Sequence, residues 1–176
     1  TKSNKSLPLL PQTFSYKTRR LIIRPHQVSD YTRYLRASQS RLPQQNEFDL
    51  PSMPLIKLTL TSFRERLKFY QKAWNKDLLY VFGLFDRKTG EVIGRMDIAP
   101  MVRLNVQTAN FGYFIHNHHW KKGYAKEAAL AVVQIGFKKL KLHRIECGID
   151  PRNKASLGVV RSIGMTREGR RRSFYY

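Results

Sequence analysis

The stretch GYFIHNHHWKKGYAKEA, residues 112–128, joins a strand-like segment to a helix-forming segment through a cationic turn. Gly123 lies at the junction, where a glycine lets a ligand approach the main chain closely. The first turn of a helix has free backbone N–H groups and the positive end of the helix dipole. This arrangement predicts a binding site for a pyrophosphate group, whose charge would be neutralised by Lys121, Lys122 and Lys126.

The KKGYA motif taken alone fits two interpretations equally well. One is the phosphate site, and the other is a solvated pair of lysines in front of an ordinary helix. The motif is too short for a Walker loop and lacks its GK[ST] ending. It also lacks the three glycines of a dinucleotide-binding fingerprint, so neither of these nucleotide-binding classes is indicated.

Strand-like segments precede and follow this stretch. Two of them are joined by the hairpin turn DRKTG, in which the glycine suits a positive φ angle. The segments expected to form strands are Arg20–Pro25, Leu79–Phe85, Glu91–Ala99, Thr108–Ile115, Arg144–Ile149 and the arginine-rich tail Met165–Tyr176.

Four segments have the periodicity or the capping residues of helices. Ser62 and Glu65 have the spacing of a capping box at the start of the second helix. Asn153 can cap the fourth helix, which ends at Gly164. The third helix runs from about Tyr124, and its expected buried face consists of Ala125, Ala128, Ala129, Val132, Val133, Phe137 and Leu140.

The order of these elements predicts one mixed α/β domain without an internal repeat, rather than a helical bundle or a β-sandwich. Residues 1–12 carry prolines without periodicity and are expected to form a flexible arm, so the domain comprises residues 13–176. The chain stops at FYY within the expected last strand, so both a complete and an incomplete C-terminal end fit the sequence.

The charge of the chain is strongly unbalanced, since 33 basic and 12 acidic residues leave a net charge of +21. Such a field attracts polyanions such as RNA, the ribosome or a phosphorylated cofactor, although it could also serve solubility alone. No apolar run reaches the roughly 18 residues of a membrane span. Cys147 is the only cysteine and cannot form an intramolecular disulfide, which favours a cytoplasmic location.

Several segments resemble the GNAT superfamily of N-acetyltransferases, and within it the ribosomal-protein alanine/serine N-acetyltransferases. WKKGYA resembles the family's cofactor motif Q/R-x-x-G-x-G/A at Gly123 and Ala125, with Trp120 in the Q/R position. GYFIHNHHWKKGYAKEA is similar to GYWI…WGKGYATEA, and IECGIDPRNKASLGVVRSIGMTREG is similar to IEARVDPxNxxSxxVLEKLGFxxEG. The segments RRLIIRPHQVSDYTRYL and FGLFDRKTGEVIGRMDI extend the resemblance over about residues 18–170.

The resemblance implies a mixed, mostly antiparallel central sheet with helices on both faces and with splayed fourth and fifth strands. It implies acetyl-CoA as the co-substrate, whose pantetheine arm would bind in the splay like another strand. A backbone N–H near Phe114 would polarise the thioester oxygen. The residues expected to bind the cofactor are Tyr113, Phe114, Ile115, Lys121, Lys122, Gly123, Tyr124, Ala125, Lys126 and Asn153.

Two residues are candidates for a catalytic role, and two other polar residues are not expected to act as bases. Ser156 aligns with a family serine that is expected to hydrogen-bond the departing thiolate, and the alternative is a polar residue in a first helical turn. His116 is the candidate proton acceptor because of its intrinsic pKa, and the alternative is an exposed loop histidine. Relatives often carry an acidic residue where this chain has Asn110, which cannot act as a base. The helix dipole explains Glu127, which is not expected to be a base.

Three histidines near the end of the fourth strand raise the question of a metal. They are His116, His118 and His119. No cysteine or carboxylate is expected to complete a site nearby, and adjacent loop residues seldom share one metal. The sequence therefore predicts no metal.

Two functions remain open. The first is an acetyl-CoA-dependent N-acetyltransferase acting on a primary amine, with the N-terminal α-amino group of a ribosomal protein as the expected acceptor. The second is a catalytically idle GNAT-like module that binds RNA or ribosomes through its charge. An aminoglycoside or polyamine acceptor is less favoured, because a charge of +21 repels polycations.

Overall fold

Six strands form one sheet, with four α-helices packed on its faces, within the residues that the structure describes. The structure is a computed structural model and describes residues 10–51 and 54–172. No helix in these ranges is long and apolar enough to cross a membrane. The strands are β1 (Tyr16–Lys17), β2 (Leu21–Arg24), β3 (Tyr80–Asp86), β4 (Val92–Val102), β5 (Thr108–Ile115) and β6 (Arg144–Glu146). The helices are α1 (Tyr31–Gln39), α2 (Leu60–Asn75), α3 (Tyr124–Lys138) and α4 (Lys154–Ser162).

The strands lie in the sheet in the order of the chain, and all neighbours are antiparallel except β5 and β6. These two run parallel and pair only from Thr108 to Asn110 on β5. Beyond Asn110, β5 continues to Ile115 without β6 beside it. The splay was predicted between the fourth and fifth expected strands, which correspond to β5 and β6. It is therefore confirmed, and it leaves one edge of β5 open.

The two faces of the sheet carry different helices. On one face, Met96 and Phe111 belong to the same buried cluster as Ala128 of α3. On the other face, Ala37 of α1 packs with Phe85 in a smaller cluster. Because successive residues of a strand point to opposite faces, a sheet covered on both sides needs apolar residues in long uninterrupted runs. The near-continuous burial of β3 agrees with this requirement.

The buried face of α3 differs from the expected one. Ile135 and Gly136 are buried, whereas Phe137 is 43% exposed. A Cβ at Gly136 would lie only 2.6 Å from Ile145 Cδ1, so the glycine lets the helix approach β6 closely. The helix consequently turns this line of residues toward the sheet, and the prediction that Phe137 is buried was wrong.

The start of α2 also differs from the expected one. Its N-cap is Thr59, whose side chain accepts a hydrogen bond from Ser62 N at 3.1 Å. The Ser62 hydroxyl donates instead to the carbonyl oxygen of Lys57 at 2.8 Å. The predicted capping box at Ser62 and Glu65 was therefore wrong, because the helix begins at Leu60 and Ser62 already lies in its first turn.

Both ends of the described chain differ from the prediction. The N-terminal end is better packed than expected, and the C-terminal end lacks the expected strand. Leu10 is 7% exposed, and Trp74 Nε1 donates a hydrogen bond to its carbonyl oxygen. The described end of the expected arm is thus packed, whereas residues 1–9 lie outside the described residues. No strand forms over residues 165–172, and residues 173–176 of the expected last strand lie outside the described residues. β6 ends at Glu146, because it separates from β5 there.

Candidate active site

A turn with two left-handed residues leads from β5 into α3. The φ angle is +59° at Lys121 and +76° at Gly123. Gly123 is the N-cap of α3, and no side chain among residues 10–51 and 54–172 caps this helix end. The amides of the first turn therefore have no acceptor within the helix, and such turns form concave surfaces of N–H groups that bind anions. The side chains of Lys121, Lys122 and Lys126 are exposed around this surface.

A partly buried ion pair between Arg20 and Glu127 connects this turn to the N-terminal part of the sheet. Glu127 Oε1 accepts hydrogen bonds from Arg20 N and Thr18 Oγ1, both at 2.7 Å, and Oε2 accepts one from Arg20 Nε at 2.6 Å. Arg20 Nη1 also donates to the carbonyl oxygen of Lys122 at 2.8 Å. Partial burial raises the pKa of Glu127, but these hydrogen bonds outweigh it and hold the pKa below its usual value. The Glu127 carboxylate therefore stabilises the contact of α3 with Thr18 and Arg20.

The open edge of β5 presents the amides of alternate residues. His116 N donates to the carbonyl oxygen of Ile93 at 3.0 Å, on the β4 side. Amides along an antiparallel strand alternate in direction, so the Phe114 amide also points to β4, and those of Tyr113 and Ile115 point to the open edge. The Phe114 amide, which was expected to meet the thioester, therefore points away from the open edge, and the amides available at that edge are those of Tyr113 and Ile115.

Trp120 fixes the far end of the same edge. Its Nε1 donates to the carbonyl oxygen of Ile115 at 2.8 Å. Trp120 stands where the resemblance expected Gln or Arg, and its ring packs against the main core cluster. The indole therefore anchors the turn to the end of β5 through one hydrogen bond and apolar contacts.

The side chains of Tyr113 and Ser156 lie near each other across the splay, although the Tyr113 hydroxyl has no hydrogen-bond partner among the described residues. Asn153 caps α4 as predicted, with its Oδ1 accepting from Ser156 N at 3.0 Å, and this places Ser156 in the first turn. The Tyr113 hydroxyl of β5 lies beside Ser156: burial raises the pKa of Tyr113, and the Ser156 hydroxyl opposes this increase. The structure therefore brings Tyr113 and Ser156 together although they are distant in sequence.

A cavity of about 350 Å³ lies between the first two helices and the sheet. Its wall includes Phe114, Tyr34 and the guanidinium groups of Arg66 and Arg95. Arg66 Nη1 donates to the Tyr34 hydroxyl, and Arg95 Nη1 donates to the Tyr70 hydroxyl at 2.9 Å. Cationic groups in such a wall disfavour the protonated form of an amine. Phe114 connects the cavity to β5, the strand at the splay.

His116 lies in the wall of this cavity and is not the exposed histidine of the alternative interpretation. It is only 5% exposed, and its ring packs edge-on against Phe114 at 5.1 Å between centroids. Burial, followed by the charges of His118 and Arg41, lowers the pKa of His116 to about 3. At neutral pH the imidazole is therefore unprotonated, but it is a weak proton acceptor in this environment.

A carboxylate that sequence reasoning missed lies on the cavity side of the sheet. Asp97 of β4 pairs with Gly112 of β5, and its Oδ2 lies over that glycine. Burial raises the pKa of Asp97, and the charge of Arg95 partly opposes this effect. Asn110, the position that is often acidic in relatives, is exposed on the same strand as Gly112. One signal was available, since an acidic residue inside the apolar strand EVIGRMDIA is unusual without a partner or a role.

One of the two reasons for predicting no metal, the lack of a nearby carboxylate, was wrong. The carboxylate of Glu91 lies 3.7 Å from His118 Nε2 and 3.3 Å from His119 Nε2. Among the described residues, these three form a group whose ligand atoms all lie within 4.8 Å of one another. Glu91 was missed because it lies 27 positions before His118 and comes close to it through the antiparallel pairing of β4 with β5.

Comparison with known proteins identifies the class. Residues 20–166 match the family described as the acetyltransferase (GNAT) domain, and the chain therefore belongs to this family. The probable N-acetyltransferase YjcK of Bacillus subtilis is 34% identical over 157 residues, which are 87% of this chain and 84% of that protein.

Two further comparisons concern acetyltransferases that act on a ribosomal protein. The [ribosomal protein uS5]-alanine N-acetyltransferase of Escherichia coli is 28% identical over 109 residues, which are 62% of this chain and 56% of that protein. The crystal structure of ribosomal-protein-S5-alanine acetyltransferase from Vibrio fischeri matches with a TM-score of 0.76 at 22% identity, over 93% of this chain and 88% of that one. This structural likeness supports the fold.

The chain is accordingly an acetyl-CoA-dependent N-acetyltransferase of the GNAT family. Its expected fold is confirmed, and acetyl-CoA is the co-substrate that GNAT acetyltransferases use. The individual residues predicted to bind the cofactor and to transfer protons remain predictions.

Proposed function

We propose that this enzyme acetylates the N-terminal α-amino group of a protein, and that this protein is a component of the ribosome. The α-amino group has a pKa of about 8, against about 10.4 for lysine, so much less free energy is needed to obtain its neutral, nucleophilic form. The cationic wall of the cavity lowers the pKa of a bound amine further. Support for a ribosomal protein comes from the relative in Escherichia coli and from the net charge of +21.

Acetyl-CoA binds along the edge that the splay leaves open. Its pyrophosphate accepts hydrogen bonds from the first-turn amides at Tyr124 and Ala125, beside Gly123. Lys121, Lys122 and Lys126 neutralise its charge. The pantetheine arm pairs with the main chain of β5 from Tyr113 to Ile115, as an added strand would. Asn153 holds the first turn of α4 on the other side of the arm.

The transfer needs three groups around the thioester. The Tyr113 amide donates to the carbonyl oxygen as the amine nitrogen attacks the carbonyl carbon. Asp97 accepts the proton that the amine loses, because it combines a raised pKa with a place on the cavity face. The carbon–sulfur bond then breaks, and the Ser156 hydroxyl stabilises the thiolate, which leaves as CoA. His116 contacts the amine as a neutral hydrogen-bond partner.

The single observation that carries this proposal is the splay, with its open amide edge running into an uncapped, lysine-rich helix end. Matched peptides test the acceptor. A peptide with a free N-terminus and no lysine should be acetylated, as measured by mass spectrometry. The same peptide with a blocked N-terminus and one internal lysine should react at least about tenfold more slowly. Equal rates, or a preference for spermidine over both peptides, would contradict the proposed acceptor.

Ribosome binding is tested separately. Attraction through net charge weakens as the Debye length contracts from about 10 Å at 0.1 M salt to about 3 Å at 1 M. Co-sedimentation with ribosomes should therefore be strong at low salt and fall steeply with rising salt, while acetyl-CoA binding changes much less. If neither ribosomes, rRNA nor ribosomal proteins bind at low salt, the charge serves solubility and the acceptor lies elsewhere.

The idle-module function predicts a different pair of results. A module without cofactor binding would show salt-sensitive RNA binding and no thermal stabilisation by acetyl-CoA. An active enzyme gains stability from the co-substrate by mass action, about 2.7 kcal/mol at a concentration 100 times the dissociation constant. A thermal-shift titration with acetyl-CoA therefore separates the two functions.

A further inference from the structure

Three side chains from two separate segments converge beside the turn that leads to α3. Glu91 lies immediately before β4, at the end of the β3–β4 turn, and His118 and His119 lie in the short turn after β5. Glu91 Oε1 is 3.7 Å from His118 Nε2 and 3.3 Å from His119 Nε2. We propose that Glu91, His118 and His119 bind a divalent transition-metal ion, with Zn²⁺ as the expected ion.

The histidine nitrogens lack the partners that buried polar atoms normally have. His118 Nδ1, His118 Nε2 and His119 Nε2 are buried and have no hydrogen-bond partner among the described residues. The contacts of the two Nε2 atoms with Glu91 Oε1 do not form hydrogen bonds, because the one at 3.7 Å is too long and the one at 3.3 Å is poorly aligned. Leaving such buried groups unsatisfied is unfavourable. A metal ion would satisfy one nitrogen of each imidazole and the carboxylate at once.

The ligand types and their spacing suit Zn²⁺. Two imidazoles and one carboxylate form a known zinc ligand set, with Zn–N and Zn–O distances of about 2.0–2.2 Å. Tetrahedral geometry then places ligand atoms about 3.3 Å apart. The three ligand atoms here lie within 4.8 Å of one another, so a movement of about 1 Å per side chain would close the site around an ion. Glu91 is 41% exposed, which leaves a side open for a water as the fourth ligand.

The bound ion would connect the β3–β4 hairpin to the segment between β5 and α3, which contains the turn at Gly123. The His119 ring packs edge-on against Tyr124, the first residue of α3, at 5.9 Å between centroids. His118 and His119 also lie near Lys122, whose charge opposes a cation and limits the affinity. The ion would therefore have a structural role and would stabilise the region beside the turn at Gly123. This inference stands on the three side chains alone and does not depend on the acceptor amine.

Calorimetric titration of the untagged, chelator-treated full chain with ZnCl₂ tests the site. One Zn²⁺ should bind per chain, and Co²⁺ in its place should give the visible absorption of a four-coordinate histidine–carboxylate site. Glu91→Gln and His119→Ala should each raise the dissociation constant at least about tenfold. Glu91→Gln is the main variant, because its exposed side chain can be changed without disturbing the core.

His143→Ala is the matched control, since His143 is an exposed histidine outside the group. This variant should bind Zn²⁺ as the unmodified chain does, and the metal-free forms of all variants should unfold at similar temperatures. The absence of binding to the unmodified chain would overturn the proposal. So would binding that persists in both Glu91→Gln and His119→Ala, because the ion would then be held by other groups.

Discussion

The carboxylate of Asp97 lies over Gly112 of the neighbouring strand, so that a Cβ at position 112 would come within 2.7 Å of Asp97 Oδ2. The two residues pair across β4 and β5, where β5 has already parted from β6. Only glycine leaves room for a carboxylate in this position. A titratable group with a raised pKa thus lies on the same face of the sheet as the cavity, at the level where the sheet opens.

Asp97→Asn should lower kcat about 100-fold or more, because removal of a general base typically costs that much. The unmodified enzyme should gain activity as pH rises through the pKa of Asp97, which burial places above the usual carboxyl range. The variant should lose this acidic limb of the pH profile and keep its affinity for acetyl-CoA. Steady-state rates between about pH 4 and 9 measure both effects.

His116→Gln provides the comparison for Asp97. The amide keeps a hydrogen-bonding group in the cavity wall but cannot accept a proton. If His116 were the base, this variant would lose the greater part of the activity and Asp97→Asn would stay active. We expect the opposite order, because burial lowers the pKa of His116 to about 3.

Long segments with a clear pattern could be predicted from the sequence, and contacts set by register could not. The strand Thr108–Ile115 was predicted with the bounds that the structure has, because apolar and aromatic residues fill it. The two-residue strand Tyr16–Lys17 was missed, because two residues cannot show a period. The choice between Phe114 and Tyr113 as the amide donor depends on strand register, where a shift of one residue reverses every direction.

The candidate site divides in the same way. The cationic turn at Gly123 and the cap at Asn153 are local features, and their geometry agrees with the sequence. The proposed role of Asp97 depends on its pairing with Gly112, and the approach of Glu91 to His118 depends on the same pairing of β4 with β5. Such contacts join residues that no local pattern relates, so the sequence alone predicted neither.

Gly123→Val should raise the dissociation constant of acetyl-CoA at least about tenfold, which corresponds to about 1.4 kcal/mol. A side chain there would stand over the amides that we propose to bind the pyrophosphate, and Arg20 Nη2, at 3.3 Å, is the one atom of the described residues that would lie close to its Cβ. Calorimetry or fluorescence titration with acetyl-CoA measures the change.

Gly164→Val separates this effect from backbone strain. Gly164 has a φ of +86°, close to the +76° of Gly123, and a Cβ there would meet no atom of the described residues within 4 Å. Both variants should lose about 1–2 kcal/mol of stability, because a β-branched residue is strained in the left-handed region. Only Gly123→Val should weaken acetyl-CoA binding; equal affinity in the two folded variants would remove the phosphate site from this turn.

Ser156→Ala should lower kcat and leave the affinity for acetyl-CoA nearly unchanged, because the hydroxyl acts on the thiolate that forms during the reaction. The helix cap should survive, since Asn153 bonds the backbone amide of Ser156. Ser162→Ala in the same helix is the control, because its exposed hydroxyl bonds only the carbonyl oxygen of Val159. Unchanged turnover in Ser156→Ala would leave this serine with a structural role alone.

Glu127→Gln should lower the free energy of unfolding. It should thereby make the turn at Gly123 less ordered. The carboxylate accepts hydrogen bonds from Thr18 and from both the backbone and the side chain of Arg20. Loss of its charge should cost about 1 kcal/mol, a value reduced because the Arg20 side chain is 31% exposed to solvent. Urea unfolding at pH 7 measures the difference, and Glu65→Gln, on the exposed side of α2, is the control.

The pH dependence of that difference identifies its cause. The folded-state pKa of Glu127 is lowered, so its contribution is present above the unfolded pKa of about 4.3 and is lost as pH falls through the folded value. The unmodified chain and Glu127→Gln should therefore differ in stability by a constant amount from neutral pH down to about pH 5 and converge below about pH 4. A difference that persists unchanged at pH 3 would show that shape, and not the charge of Glu127, braces the turn.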